Sequence, residues 1–341
     1  MYTVKRKQFV ANESQDWALC KSRNKVGKMD CQSKLQNADF QSCLAIQFHV
    51  NSTGINPFFN CADTNNVHFI RESDKVYNKM SLSLEDKVAV VTGSTGGIGF
   101  AIAKEFAENN GAMTIVCSRV YEQAERAKKK ISSSKVFAAE VDVTSDTSVK
   151  EFVDQVSLKF GRIDVLVNNA GYPFDKNIWY KRFHEVTDEE LQKILEVDLQ
   201  GTVRMSKAVI PSMLKRDSNK NGGAGGGVII NISSTPALAG HTQGAPYTIA
   251  KSGNIALTKC IAKEYGGENI RSYTMALGNI STLTTLSSMT ETDRINAAEE
   301  PSMKRWGKPK EVAKVAASIA GDNFSYATGN TIVIDGGVVL W

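Results

Sequence analysis

Between Lys87 and Asn110 the chain reads KVAVVTGSTGGIGFAIAKEFAENN, and this stretch leaves few folds open. A short β-branched run, 87–91, stops at a glycine-rich turn, after which Ile98, Ala101, Ile102 and Phe106 recur with a helical period. A strand joined this tightly to a helix buries both best by returning to a parallel strand. The alternation continues, with strands predicted at 112–117, 136–141, 163–167, 228–232, 272–277 and 331–334. Helices are predicted at 121–131, 149–160, 188–214, from Pro246 onward, and at 310–320. The strands are almost continuously apolar, the pattern of a parallel sheet covered on both faces. The expected fold class is α/β, one doubly wound domain over 81–341.

Ligands bind such sheets beyond the carboxyl ends of the strands, where the strand order reverses. Each candidate motif follows a predicted strand: the turn 92–99, then Ser118 and Arg119, Asp142, the run 168–171, and Ser234. Gly93, Gly97 and Gly99 permit a tight turn, close backbone approach to a pyrophosphate and close helix packing. Ser94, Thr95 and Ile98 complete a turn whose helix N-terminus offers free N–H groups to phosphates. This is the dinucleotide signature of a Rossmann fold. An acid closing the second strand would hold a ribose 2′-hydroxyl, whereas Ser118 and Arg119 suit a 2′-phosphate. NADP(H) is therefore the expected cofactor, with Arg119 as a plain loop charge the alternative. The run NGGAGGG, 221–227, lies between a helix and a strand and reads as a surface loop.

The chemistry concentrates in 230–253. Tyr247 and Lys251 are four apart and share one face of a helix opened by Pro246. Tyrosine, with a pKa of about 10, is a poor acid at neutral pH, but an adjacent ammonium and a cationic cofactor ring favour its phenolate. Ser234, thirteen residues earlier, closes an apolar strand and can hold a substrate oxygen beside the phenol. Alone, Tyr-x-x-x-Lys also fits an exposed helix face; the motifs around it give it weight.

Of 341 residues, 42% are hydrophobic, enough for a sizeable core. The net charge of +5 belongs mostly to the leader. Residues 1–80 hold eleven Lys/Arg against seven Asp/Glu, and 81–341 hold thirty against twenty-nine. The body thus lacks the basic field of a nucleic-acid binder. No apolar run approaches the ~20 residues of a membrane span, and no signal-like hydrophobic segment opens the chain, so a cytoplasmic protein is expected. Cys43, His49, Cys61 and His68 match no standard zinc spacing, and no metal is expected. Residues 1–80 read as an irregular N-terminal extension, an interaction arm, or a segment upstream of a true start at Met80.

With these residues in place, about 84–341 resembles the short-chain dehydrogenase/reductase family, nearest its 3-oxoacyl-acyl-carrier-protein reductase-like members. The resemblance rests on TGSTGGIG, Asp142, NNAG at 168–171, Ser234, Tyr247-x-x-x-Lys251 and Asp335-Gly336-Gly337. It implies Tyr247 as general acid/base, Lys251 as its activator and holder of the nicotinamide ribose, and Ser234 as donor to the substrate oxygen. It places Asp142 and Val143 near the adenine, Asn169, Ala170 and Gly171 on the nicotinamide side, and Gly278, Ile280 and Thr282 by the carboxamide.

Two positions depart from the family pattern. Asp198 stands where asparagine is usual, and it counts among the catalytic candidates, through its backbone carbonyl or as a second carboxylate near Lys251. Leu277-Gly278 replaces proline-glycine. The segment between Gly171 and Asp198 is long for an acyl reductase, and 177–182 within it borders the pocket, an oligomer face, or neither. Residues about 281–305 resemble the family's mobile substrate lid. The implied activity is NADPH-dependent carbonyl reduction or its reverse, first of a 3-oxoacyl thioester, in a homotetramer without nucleic-acid or membrane partners. A sugar, steroid or small ketone is the alternative substrate, and a non-catalytic NADP(H)-binding protein the alternative role.

Overall fold

The computed structural model describes residues 46–51, 54–59, 84–215 and 226–340, in two units divided after Lys75. In the first unit β1 (Ile46–Asn51) and β2 (Gly54–Phe59) form an antiparallel pair, with Ile46 opposite Phe59. Cys43, Cys61, His68, Met80 and most of the glycine-rich loop lie outside the described residues.

In the second unit, seven strands make one parallel sheet: β3 (Val88–Val91), β4 (Met113–Ser118), β5 (Val136–Glu140), β6 (Val165–Asn168), β7 (Gly227–Ser234), β8 (Ile270–Leu277) and β9 (Asn330–Ile334). Their order is β5-β4-β3-β6-β7-β8-β9, so the direction of winding reverses between β3 and β6. The first three helices are α1 (Gly97–Glu108), α2 (Tyr121–Lys128) and α3 (Asp146–Phe160). Then come α4 (Lys176–Trp179), α5 (Asp188–Leu195), α6 (Gly201–Leu214), α7 (Pro236–Ala239) and α8 (Ala245–Tyr265). The last are α9 (Leu283–Ser287), α10 (Glu291–Glu299) and α11 (Pro309–Ala320).

Strand side chains alternate between faces, and β3 shows the consequence. Ala89 and Val91 join a core with Ile102 and Phe106 of α1 and Val312 and Ala316 of α11. Val88 and Val90 join the opposite core, with Phe152 and Val156 of α3, Met205 and Val209 of α6, and Ile261 of α8. Each large aliphatic buried this way stabilises by about 1.5–3 kcal/mol.

The helix predicted over 188–214 is broken by a π turn at Glu196–Gln200. Thr187 begins α5 with a reciprocal capping box to Glu190. A buried polar chain then ties α6 and α8 to the sheet: the Asn168 amide donates to Ser206 Oγ (3.0 Å) and Asn231 Oδ1 (2.9 Å), and the Asn231 amide donates to Thr258 Oγ1 (2.9 Å). The Ser233 hydroxyl donates to the Lys251 carbonyl at 2.8 Å. These bonds set α8, and the two side chains it carries, against the carboxyl end of β7.

Candidate active site

At the point of strand reversal lies a groove of about 840 Å³. Gly93, Thr95, Ile98, Ser118, Arg119, Asp142, Val143, Asn169, Ala170 and Gly171 all line it, together with Tyr247 and Lys251. The N-cap of α1 is Gly96, which supplies no side-chain cap, so the first N–H groups of the helix are left for an anion. Gly93 takes φ +60, and a Cβ there would stand 3.0 Å from Ala170 Cα. The run NNAG braces this turn: the Asn169 amide donates to the Thr92 carbonyl (2.9 Å) and the Gly93 carbonyl (3.1 Å), and the Asn169 and Ala170 N–H groups donate to Thr92 Oγ1. A Cβ on Gly99 would collide with Asn169 Nδ2 and stand 2.7 Å from the Gly93 carbonyl, so Gly99 lets α1 close against that brace.

Four cofactor expectations change in kind. Ser94 is fully buried, its hydroxyl donating to the Val91 carbonyl at 2.7 Å and accepting from the Cys117 N–H at 3.0 Å, so its side chain joins strands. Ile280 is likewise buried, bridging to Gly307, and Thr282 caps α9 while its methyl sits beside Gly97. Gly278 lies in the neighbouring cleft, wedged against Asp335, whose carboxylate accepts the Gly337 and Val339 N–H groups. At the far end of the groove, burial works against the Asp142 charge. The Thr144 hydroxyl and N–H, with Arg119 and Arg204 beyond, nevertheless hold its carboxyl below the ordinary value.

The second cavity, about 400 Å³, adjoins the groove through Tyr172, Asp198, Tyr247 and Thr284, which line both. Ser234 opens onto it, its hydroxyl donating to the Leu277 carbonyl at 3.2 Å. Lys251 is buried below Tyr247, its ammonium 5.5 Å from the phenol ring centre and 2.8 Å from Asp198 Oδ1. Burial opposes the ammonium's charge, but the Asp198 carboxylate and the Tyr247 side chain outweigh it and hold Lys251 above its ordinary value.

Residues from the long segment 171–198 form the wall of this cleft. The Trp179 ring lies 5.6 Å from those of Tyr247 and Phe174 and 5.7 Å from that of His241. Its carbonyl accepts the Gly244 N–H at 2.9 Å, and its indole covers Gly244 so closely that a Cβ there would stand 2.6 Å away. Gly244, at φ +65, is the N-cap of α8, so the wall is fastened to the start of the helix that carries Tyr247. Thr285, Ser288, Met289 and Trp306 also line the cleft and come from the segment after β8, which holds α9 and α10. The Trp306 indole N–H donates to the Arg294 carbonyl (3.1 Å), and Arg294 Nε donates to the Leu286 carbonyl (2.8 Å). Trp179, His241, Phe174 and Trp306 were not singled out individually from the sequence, because their meeting depends on contacts between remote segments.

A family model of the short-chain dehydrogenase type, described as enoyl-(acyl carrier protein) reductase, matches residues 93–339. The chain belongs to the short-chain dehydrogenase/reductase family. Among curated relatives it is 36% identical to the 3-oxoacyl-acyl-carrier-protein reductase FabG of Thermotoga maritima, over 76% of this chain and 100% of that one. It is 32% identical to a 3alpha-hydroxysteroid dehydrogenase of Mediterraneibacter gnavus, over 75% of this chain and 98% of that one. It is 31% identical to glucose 1-dehydrogenase 2 of Bacillus subtilis, over 77% and 98%. Short-chain dehydrogenase/reductases are oxidoreductases that use nicotinamide cofactors, and the uncapped helix end, the open glycine turn and the groove volume fit a dinucleotide. Among the described residues no helix is long and apolar enough to cross a membrane.

Proposed function

We propose that this short-chain dehydrogenase/reductase is an NADPH-dependent carbonyl reductase, with a 3-oxoacyl thioester as its first substrate class. The observation that carries the reading is the position of Tyr247, which borders the glycine-turn groove on one side and the Ser234 cleft on the other. The glycine turn, Arg119 and Lys251 would hold NADPH, which would supply the hydride. Tyr247 gives its phenolic proton to the carbonyl oxygen as the carbonyl carbon is reduced, and takes it back in alcohol oxidation. Ser234 turns its hydroxyl from the Leu277 carbonyl to the substrate oxygen, and Lys251 stabilises the phenolate left behind. The preference for NADPH rests on Ser118 and Arg119 standing at the end of β4, where an acid would repel a 2′-phosphate.

The thioester assignment draws on the FabG-type relatives at 34–36% identity. A second substrate class, a ring ketone, is favoured by the aromatic wall of Phe174, Trp179 and Trp306 and by the steroid dehydrogenase relative. A homotetramer in the cytoplasm is part of the same reading, drawn from the family likeness; a shallow groove of Leu199, Val203 and Leu257, edged by Asp146, Gln200, Arg204 and Lys207, would suit such a contact. Residues 1–80 are taken as an extension dispensable for chemistry, which a chain begun at Met80 tests by keeping full activity.

The deciding assay is NADPH consumption with acetoacetyl-CoA, set beside a panel of ring ketones and beside NADH. Turnover with the thioester and NADPH supports the reading, and turnover with ring ketones alone moves it to the second class. Tight NADPH binding with no turnover on either would make the chain a non-catalytic binding protein.

A further inference from the structure

Asp198 is almost fully buried where the two cavities meet, and its two carboxylate oxygens are spent on two donors. Oδ1 stands 2.8 Å from the Lys251 ammonium, and Oδ2 accepts the Tyr172 N–H at 2.8 Å. An asparagine has one acceptor oxygen and one NH₂. Turned either way, it would point a donor at the ammonium or at the Tyr172 N–H. The site is therefore built for a carboxylate.

The residue is pinned as well as paired. Its own carbonyl accepts the Thr202 hydroxyl (3.2 Å) and the Asn254 amide (3.0 Å), inside the π turn that breaks the helix. A Cβ on Gly171 would come within 3.1 Å of Oδ1, so the loop beside it has no room for a side chain that leaves the carboxylate undisturbed.

We propose that Asp198 is a positioning residue: a carboxylate clamp that fixes Lys251 against the Tyr172 backbone and divides the ammonium's attraction between itself and Tyr247. The inference rests on Tyr247 as the proton carrier. Asp198 and Tyr247 are the titratable groups that act on Lys251. Ser233 on β7 and Asn254 on α8 approach this region with neutral groups. The other titratable side chains bordering the cavities are Arg119 and Asp142 along the groove, Tyr172 between the two cavities, and Asp175, Tyr180, His241 and Glu300 around the cleft. A carboxylate in contact with the ammonium reduces the help that it gives a phenolate, so the clamp sets the acid limb of activity at a higher pH than Lys251 alone would.

The test is the pH profile of kcat/KM for alcohol oxidation by Asp198→Asn, with Tyr247→Phe beside it. The expected result is an acid limb moved down by about one pH unit, roughly a tenfold gain at a fixed pH on that limb. A limb that stays in place in a folded Asp198→Asn, while Tyr247→Phe is inactive, overturns the clamp alone. A fully active Tyr247→Phe overturns the clamp and the proton-carrier reading together. Should Asp198→Asn not fold, thermal melting of Asp198→Asn/Lys251→Met decides. The double variant is expected to melt above Asp198→Asn, because the unpaired buried charge is gone, and failure to do so contradicts the clamp.

Discussion

The groove at the glycine turn and the cleft over Tyr247 share a border but are made of different materials. The groove is a backbone structure: uncapped N–H groups of α1, a left-handed turn at Gly93, and a helix close enough to Asn169 that Gly99 has no room for a Cβ. The cleft is a side-chain structure, with Trp179 and Phe174 from one segment, Met289 and Trp306 from another, and Ser234 and Tyr247 beneath. A ligand shared by a whole family can be met by backbone, which any sequence supplies once the glycines are in place. A ligand particular to one member needs side chains, brought here by the long segment 171–198 and the segment after β8.

The contrast predicts opposite sensitivities. In the groove, adding a single carbon should do the most damage. Gly99→Ala forces α1 away from the Gly93 carbonyl, and is expected to cost about 1–3 kcal/mol of stability. Cofactor affinity should fall about a hundredfold, because the phosphate-facing N–H groups move with the helix. Calorimetric melting and fluorescence titration with NADPH measure both, and a variant with unchanged affinity would break the backbone account of the groove. Next in size, Arg119→Ala should reduce the preference for NADPH over NADH by about ten- to a hundredfold, the worth of a charge-assisted bond to phosphate. The ratio of kcat/KM for the two cofactors reports it.

In the cleft the reverse holds, since removing a large side chain should leave the cofactor untouched. Trp179→Ala opens the wall beside Tyr247 and uncovers Gly244. It is expected to change KM for the carbonyl substrate about tenfold while the Kd for NADPH stays the same. A matching loss of cofactor affinity would show that the two regions are not separable.

The groove was legible in the sequence because its signals are local: a β-branched run, glycines at fixed offsets and a helical period follow one another directly. The sheet was legible for the same reason, since fully apolar strands such as β3 announce burial on both faces. Ser94 shows the limit, because a motif position does not reveal that the hydroxyl turns inward to Val91 and Cys117. The break at Glu196–Gln200 left no mark either, as EVDLQ consists of ordinary helix-compatible residues and the contact of Asp198 with Lys251 is made only in the fold. After β8, Thr290 and Asp293 did carry a capping signal for α10, within a polar segment that in the sequence shows only a resemblance to a lid. The aromatic wall was the least legible part, because Trp179 acquires its meaning from Gly244 and Tyr247, which only the fold brings to it.

The central claim is that Tyr247 carries the proton at the junction of these two regions, and Tyr247→Phe tests it most directly. The substitution removes one hydroxyl and leaves the ring against Trp179 in place. Turnover with NADPH and the best carbonyl substrate should fall at least about a thousandfold while NADPH still binds, within the range that positioned acid–base catalysis contributes. Turnover within about threefold of the unaltered protein would contradict the claim and return the search for the proton donor to the rest of the cleft.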